Sequence, residues 1–489
     1  MLLNERHYLL GAACLLLYSC STALSCQVVV DQLWLDGLRL EPTDTSTPLS
    51  LFIDQSQPRI SYSLRQLPSE GAACQQTARR MHIFDVEDGS YVWNDNDWIV
   101  GSDNVGIAWN GSMLLSNRHY QLWIDVLNSD SSITTSANVS FGTAMMAQQC
   151  PDQDCWTAAD WLAANTTLES DCESFGHHPV QMLRQTLTLR KSISRAYLHV
   201  VGLGWYQAYF NGQRLGDRAL DPALSVYNET VFYTTYDVTA NLTVGDNVLG
   251  LLLGRGWLNN VHMHLFGRFD LYNFMTSGHE RARTVLAVRY TDGSEASFPS
   301  QAGQGWQCAA DLHPVVQNSV FFGEVVELNR RQSIEGWSTS SYQPTAAWTP
   351  CLKTDGAVTR EGIPAHLPTP TLQRMEGIFE RETILPVAVT RLTDTSVLVD
   401  FGREFSGGVE VTLRHQPPLP EEDVMFVYGE LLNATSGGVD GASLYPGALG
   451  RWEQGNTTVW GPCAFSWPPA GRVTGGSSRL TACMQGKGM

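Results

Sequence analysis

Between Ala196 and Leu253 the residues are patterned for antiparallel β-structure. Ala196, Leu198 and Val200 alternate with Tyr197, His199 and Val201, the two-residue period of a strand with one face buried. The run from Tyr206 to Phe210 is also rich in strand-forming residues and ends at Asn211-Gly212. That pair favours a type I′ hairpin because both residues tolerate positive φ. Val248 to Leu253 is a short apolar run beside Gly254, and its length suits a core strand better than a helix. These features predict an all-β fold.

Length and charge narrow the class. The chain has 489 residues, room for roughly three domains. Its hydrophobic fraction of 43% and mean hydropathy of −0.15 are those of a folded soluble protein. With 31 basic against 49 acidic residues the net charge is −18, which works against nonspecific binding to nucleic acid or to an anionic membrane. It suits a neutral glycan, although solubility of a secreted protein explains the same charge.

Residues 1–25 have the pattern of a secretory signal peptide. Arg6 supplies the positive end, Leu9 to Leu17 the apolar run, and Ala23-Leu24-Ser25 a small-residue cleavage site before Cys26. The apolar run is short for a bilayer span, so the expectation is a secreted, extracellular protein, with a retained anchor as the alternative. Seven Asn-x-Ser/Thr sequons, at Asn110, Asn138, Asn165, Asn228, Asn241, Asn433 and Asn456, mark surface loops open to glycosylation. Cys14 and Cys20 leave with the signal, so nine of the 11 cysteines remain, and the odd count leaves at least one unpaired or pairing between chains. Cys150 and Cys155, with Cys172 nearby, are the best local disulfide candidates. No cysteine–histidine cluster has the spacing of a zinc site.

The order of motifs in the middle of the chain carries more information than the alternation. Gly204-Trp205, Asn211-Gly212, Gly216-Asp217, Asp221-Pro222 and Gly254-Arg255-Gly256-Trp257 together resemble the N-terminal β-sandwich domain of the α-L-rhamnosidases. The resemblance extends to both sides. Residues 26–145, with Pro58-Arg59-Ile60-Ser61-Tyr62, Tyr120-Gln-Leu-Trp123 and Phe141-Gly142-Thr143, are similar to a fibronectin type III-like sandwich. Residues 150–350 resemble the rhamnosidase N-terminal, carbohydrate-binding-like (jelly-roll-like) sandwich, closing near Gly323-Glu324 and Gly336-Trp337. After a Pro-rich linker, residues 375–461 resemble a partial concanavalin-like domain through Asp400-Phe-Gly402 and Tyr428-Gly429-Glu430. Residues 462–489 form an irregular tail. Val326-Glu327-Leu328-Asn329 and Arg403-Glu404 depart from the family pattern, so no role is carried onto them. The predicted architecture is therefore tandem β-sandwiches.

The resemblance implies an inverting glycoside hydrolase that removes terminal α-L-rhamnose from glycosides, with its general acid and base in a helical (α/α)6 barrel. Inversion needs two carboxylates about 6.5–9.5 Å apart with water between one of them and the sugar. No segment here matches the family's acidic motif, and 27 residues follow Pro462, against about 11–12 for one ordinary helix. The expectation is a chain without catalytic residues, inactive alone, acting through glycan binding. A stand-alone rhamnose-binding, lectin-like module is the alternative. Substitute chemistry finds little support. Glu421-Glu422-Asp423 and the pair Asp152 and Asp154 read as solvated turns, and His262 and His264 lack a third ligand.

Sugar recognition needs an aromatic face for the apolar side of the ring and polar groups for the hydroxyls. Asp217, Asp221, Asn228, Trp257 and Asn259 have that chemistry, with Tyr227 or Trp205 as stacking partners. The resemblance adds rhamnose-containing glycans as ligands and calcium, held by oxygen donors, as a candidate cofactor. Competing explanations stand beside each residue. Asp221-Pro222 makes a good turn, Trp257 suits a core, and Asn228 is a glycan acceptor.

Overall fold

The computed structural model describes residues 27–41, 48–67, 74–166, 178–258 and most of 278–403, with short pieces between and beyond them. Among the described residues the regular structure is almost wholly strand, and four of the sheets form two consecutive sandwiches, with further two- and three-stranded sheets besides. In the first, Val28–Leu35 pairs with Leu38–Leu40 and Ile60–Gln66. The facing sheet runs Phe52–Ile53, Val139–Thr143, His119–Asn128, Gln76–Asp85, Ser90–Asn94. Leu35, Ile60, Tyr62, Met81, Ile83, Tyr120, Leu122 and Phe141 form the core between the two sheets.

The second sandwich opens at Trp161–Ala163. One sheet is ordered Leu352–Thr354, Trp161–Ala163, Arg281–Tyr290, Ile193–Leu203, Phe232–Asp237, Thr371–Leu372. The other is ordered Gln213–Arg214, Trp205–Phe210, Gly245–Gly254, Gln181–Leu189, Gln307–Ala309, Thr349–Pro350. Leu183, Leu198, Val200, Phe210, Leu249, Leu251 and Leu286 fill the space between them. The sheet reaches past residue 350, because Thr371–Leu372 pairs in parallel with the strand Phe232–Asp237.

The hairpin and the apolar run form as the sequence predicts. Asn211 and Gly212 have φ of 49° and 85° and join Trp205–Phe210 to Gln213–Arg214. Gly245–Gly254 is a strand buried from Asn247 onward. The strand Ile193–Leu203 corrects the expected half-burial: it is buried on both faces. Ala196, Leu198 and Val200 point into the sandwich, while Tyr197, Val201 and Leu203 pack with Phe52, Ala144 and Met145 of the first sandwich. His199, fully buried, bridges the two, with Nε2 2.8 Å from Asn117 Oδ1 and Nδ1 2.9 Å from Thr235 Oγ1. A neighbouring domain has turned the face expected to meet solvent into a second core.

The disulfide Cys150–Cys155 forms. A second bond, Cys308–Cys351, ties the strand Gln307–Ala309 to the end of the sandwich and was not foreseen from a separation of 43 residues. Cys172, Asn433, Asn456 and the segments 1–25 and 462–478 lie outside the described residues. Among the described residues no helix is long and apolar enough to cross a membrane.

Candidate functional site

The motif glycines place two tryptophans side by side. Gly204 and Gly256 have φ of +88° and +51°, a conformation that side chains resist. A Cβ on Gly204 would lie 2.3 Å from the Gly254 carbonyl oxygen, and one on Gly256 would lie 2.6 Å from the Trp205 nitrogen. The two backbones therefore touch, and Trp205 and Trp257 meet edge to face with ring centroids 6.4 Å apart. Trp205 is buried and Trp257 half-buried. Tyr227 packs in the same cluster at 3% exposure, and burial pushes its phenol up to about 12 against a hydrogen bond to the Gly204 backbone. Tyr227 presents no ring face to a ligand in this structure, which corrects the stacking role considered for it.

Asp221 lies beside the tryptophans. Its carbonyl accepts the Tyr206 amide at 2.9 Å. Its carboxylate, 4% exposed for the residue as a whole, faces Arg218 at 3.7 Å and receives the Thr234 hydroxyl at 3.5 Å. Gln373 bonds the same carboxylate and accepts the Ala223 amide at 3.0 Å. Burial nevertheless raises the Asp221 pKa, so desolvation outweighs these partners. Asp221 serves the turn Leu220–Pro222, with Leu220 at φ +58° and a cis Asp221-Pro222 bond. It is a structural acid here, not an open ligand.

Asp217 and Asn228 are exposed. Asn228 sits on a turn in which the Glu229 and Thr230 amides both donate to the Val226 carbonyl at 2.8 Å. Asn259 lies outside the described residues. The structure thus brings Trp205, Tyr227, Trp257 and the Asp221 turn together, and leaves Trp257, Asn228 and Asp217 reachable from solvent. Among the described residues no three of His, Cys, Asp and Glu approach closely enough to hold a metal ion. The Asp221 carboxylate already faces the Arg218 guanidinium at 3.7 Å.

Sequence reasoning missed the polar groups gathered at the Arg255 backbone. Asn318 accepts the Arg255 amide on Oδ1 at 2.7 Å and donates to the His178 carbonyl at 3.2 Å. Its cross-strand partner is Glu324, whose Oε1 is buried without a hydrogen-bond partner. Burial pushes the Glu324 carboxyl up to about 8. Nearby, Glu280 is 1% exposed and holds His178 Nε2 and Gln181 Nε2, each at 2.8 Å. Apart from the Asn318–Glu324 pair, contacts across more than 60 residues of chain assemble this cluster, so no local pattern announced it.

Comparison with known proteins supplies the family. The domain description "Alpha-L-rhamnosidase N-terminal domain" matches residues 191–375, and "Rha78A-like, N-terminal immunoglobulin domain" matches 39–147. Both models describe domains of the α-L-rhamnosidase family. The matched regions are its N-terminal part. An α-L-rhamnosidase of Formosa agariphila is 24% identical over 453 residues, covering 87% of this chain and 43% of that protein. One of Streptomyces avermitilis is 28% identical over 253 residues, 48% of this chain and 22% of the other. The native α-L-rhamnosidase of Aspergillus terreus superposes with a TM-score of 0.63 at 21% identity, covering 85% of this chain and 42% of that one. A Streptomyces avermitilis α-L-rhamnosidase complexed with L-rhamnose gives 0.62 at 17% identity, covering 86% and 53%. The chain spans less than half the length of the curated relatives it matches, and the rhamnosidase structures share its fold.

Proposed function

We propose that this chain is the glycan-holding part of an exported α-L-rhamnosidase-family protein whose parent reaction is hydrolysis of terminal α-L-rhamnose. In this reading the two sandwiches position a rhamnosyl glycan and the cleavage chemistry lies outside them. The observation that carries it is the Trp205–Trp257 pair, set in place by Gly204 and Gly256 within a domain of that family. Trp257 is half-buried, and Asn228, next in sequence to the clustered Tyr227, is exposed, as is Asp217. An apolar ring face with flanking hydroxyl-binding groups is what a sugar requires. Export is supported by the apolar run near the start, by the disulfides Cys150–Cys155 and Cys308–Cys351, and by exposed sequons at Asn110, Asn138, Asn165 and Asn228. Asn241 is half-buried.

The test is a titration of the chain with methyl α-L-rhamnoside, followed by indole fluorescence, with calcium and with a chelator. The expected result is saturable quenching that Trp257→Ala removes, with no turnover of an aryl α-L-rhamnoside. Absence of saturation sinks the binding reading. Turnover by the pure chain would place cleavage within it, whereas binding without turnover also suits a stand-alone lectin-like module.

A further inference from the structure

The outer face of the first sandwich's larger sheet carries a second set of rings, remote in sequence from Trp257. On the strand Gln76–Asp85, Met81 and Ile83 point into the core while Arg80, His82 and Phe84 alternate with them on the outside. Strand register sets Tyr91 opposite Phe84 and Asn94 opposite His82. On the other side Gln121, Trp123 and Asp125 stand opposite Phe84, His82 and Arg80. Tyr91, 51% exposed, lies 5.3 Å from Phe84 and 5.8 Å from Trp123 by ring centroids. Trp123 stacks on His82 at 5.3 Å, and the Arg80 guanidinium lies 4.3 Å over Trp98.

Charge decides what such a face can receive. Arg80 pairs with Asp125 at 2.9 Å and His82 Nε2 lies 3.3 Å from the same carboxylate, so the guanidinium on the face is met from within it. Nothing there attracts a polyanion or an anionic lipid surface, and the chain as a whole is at −18. The rings alternate with the amides Asn94 and Gln121. Gln121 spends its oxygen on the Asn138 amide at 3.3 Å, leaving its nitrogen to donate. Rings that cover C–H faces, beside uncharged groups that bond hydroxyls, suit a neutral chain of pyranose sugars. Cross-strand aromatic pairs also stabilise sheets, but that role does not require Tyr91 to stand half exposed.

We propose that Phe84, Tyr91, Trp98 and Trp123 form a stacking platform for a neutral polysaccharide chain, a second glycan-binding surface separate from the Trp257 site. That the sugar is rhamnose-rich rests on the function proposed above. The platform would hold polymer on the first sandwich while the second engages a terminal sugar.

The test is migration of the full chain in native gels containing a neutral rhamnan, for the parent, Tyr91→Ala, Trp123→Ala and Trp257→Ala, with thermal melting as the check on folding. Tyr91→Ala is expected to weaken retardation about tenfold, the loss of one stacked ring. It should still unfold cooperatively, with a melting temperature lowered only slightly by the lost cross-strand pair, and its affinity for methyl α-L-rhamnoside should stay unchanged. Tyr91→Phe should retain binding, and it carries the test if Trp123→Ala does not fold. Three results overturn the proposal: no retardation of the parent, equal retardation of parent and Tyr91→Ala, or retardation seen only after Asn138→Gln. The last would make the platform a seat for the chain's own N-linked glycan. Failure of the Trp257 site shows separately, as absent fluorescence saturation with gel retardation intact.

Discussion

His199 shows how much a single side chain depends on what is packed against it. As an outward residue on a half-buried strand it would titrate in water. Enclosed between two sandwiches, it is fully buried, and burial pushes its pKa down to about 3. His119 is pushed down to about 4 by burial and by Arg195, and His313 to about 3 by burial and Arg331. Each is neutral in the folded chain and takes up a proton on unfolding once the pH is below its ordinary value of 6.5. Their contribution is complete above pH 6.5 and falls away as the pH drops toward 3–4. At pH 5, His199 alone should cost about 2 kcal/mol relative to neutral pH. His199→Gln should flatten the fall in melting temperature between pH 7 and pH 5, and an unchanged slope would show that His199 does not contribute.

At the scale of elements, backbone pairing and one covalent tie decide which strands stay in the second sandwich. The strand Gln307–Ala309 makes three register pairs with Gln181–Leu189 and two with Thr349–Pro350. Such short pairing is weak alone. Cys308–Cys351 closes the 43-residue separation around it, and a loop of that length is worth about 4 kcal/mol in the chain-entropy account. Replacing both cysteines by Ser should lower stability by roughly that amount in a denaturant titration. Removing Cys150–Cys155, which spans five residues, should cost clearly less. Equal losses would mean that local packing, not loop closure, sets the value of each bond.

At the scale of the molecule, the two sandwiches meet at a seam that is part apolar and part ionic. Phe52 meets Tyr197 edge to face at 5.0 Å, and the Tyr233 hydroxyl donates to the Met145 carbonyl at 3.2 Å. Beside them Arg195 lies 3.2 Å from Glu87 and 3.4 Å from Asp237, and donates to His119 Nδ1 at 2.9 Å. Burial still raises the Glu87 pKa despite the guanidinium, so desolvation outweighs attraction there. Removing Arg195 would leave two carboxylates, their side chains 4% and 5% exposed, without their cation. Arg195→Ala should cost about 3–5 kcal/mol and split a single thermal transition into two, one for each sandwich. A single transition with unchanged midpoint would show that the apolar contacts alone couple them.

The boundary between sequence and tertiary structure follows the range of the forces involved. The alternation in Ile193–Leu203, the Asn211-Gly212 hairpin and the glycines around Trp205 and Trp257 act within a few residues, where backbone sterics and side-chain period leave few choices. They were legible, and so were the all-β class and the family. What depended on distant partners was not. Gln373 reaches the Asp221 turn across 150 residues, and Asn318 anchors Arg255 across 63. Tyr227 looked like a surface ring until the fold enclosed it. Local sequence determined which segments become strands and where they turn; only packing, which sets solvent access and the local dielectric, decided which polar and aromatic side chains were left to meet a ligand.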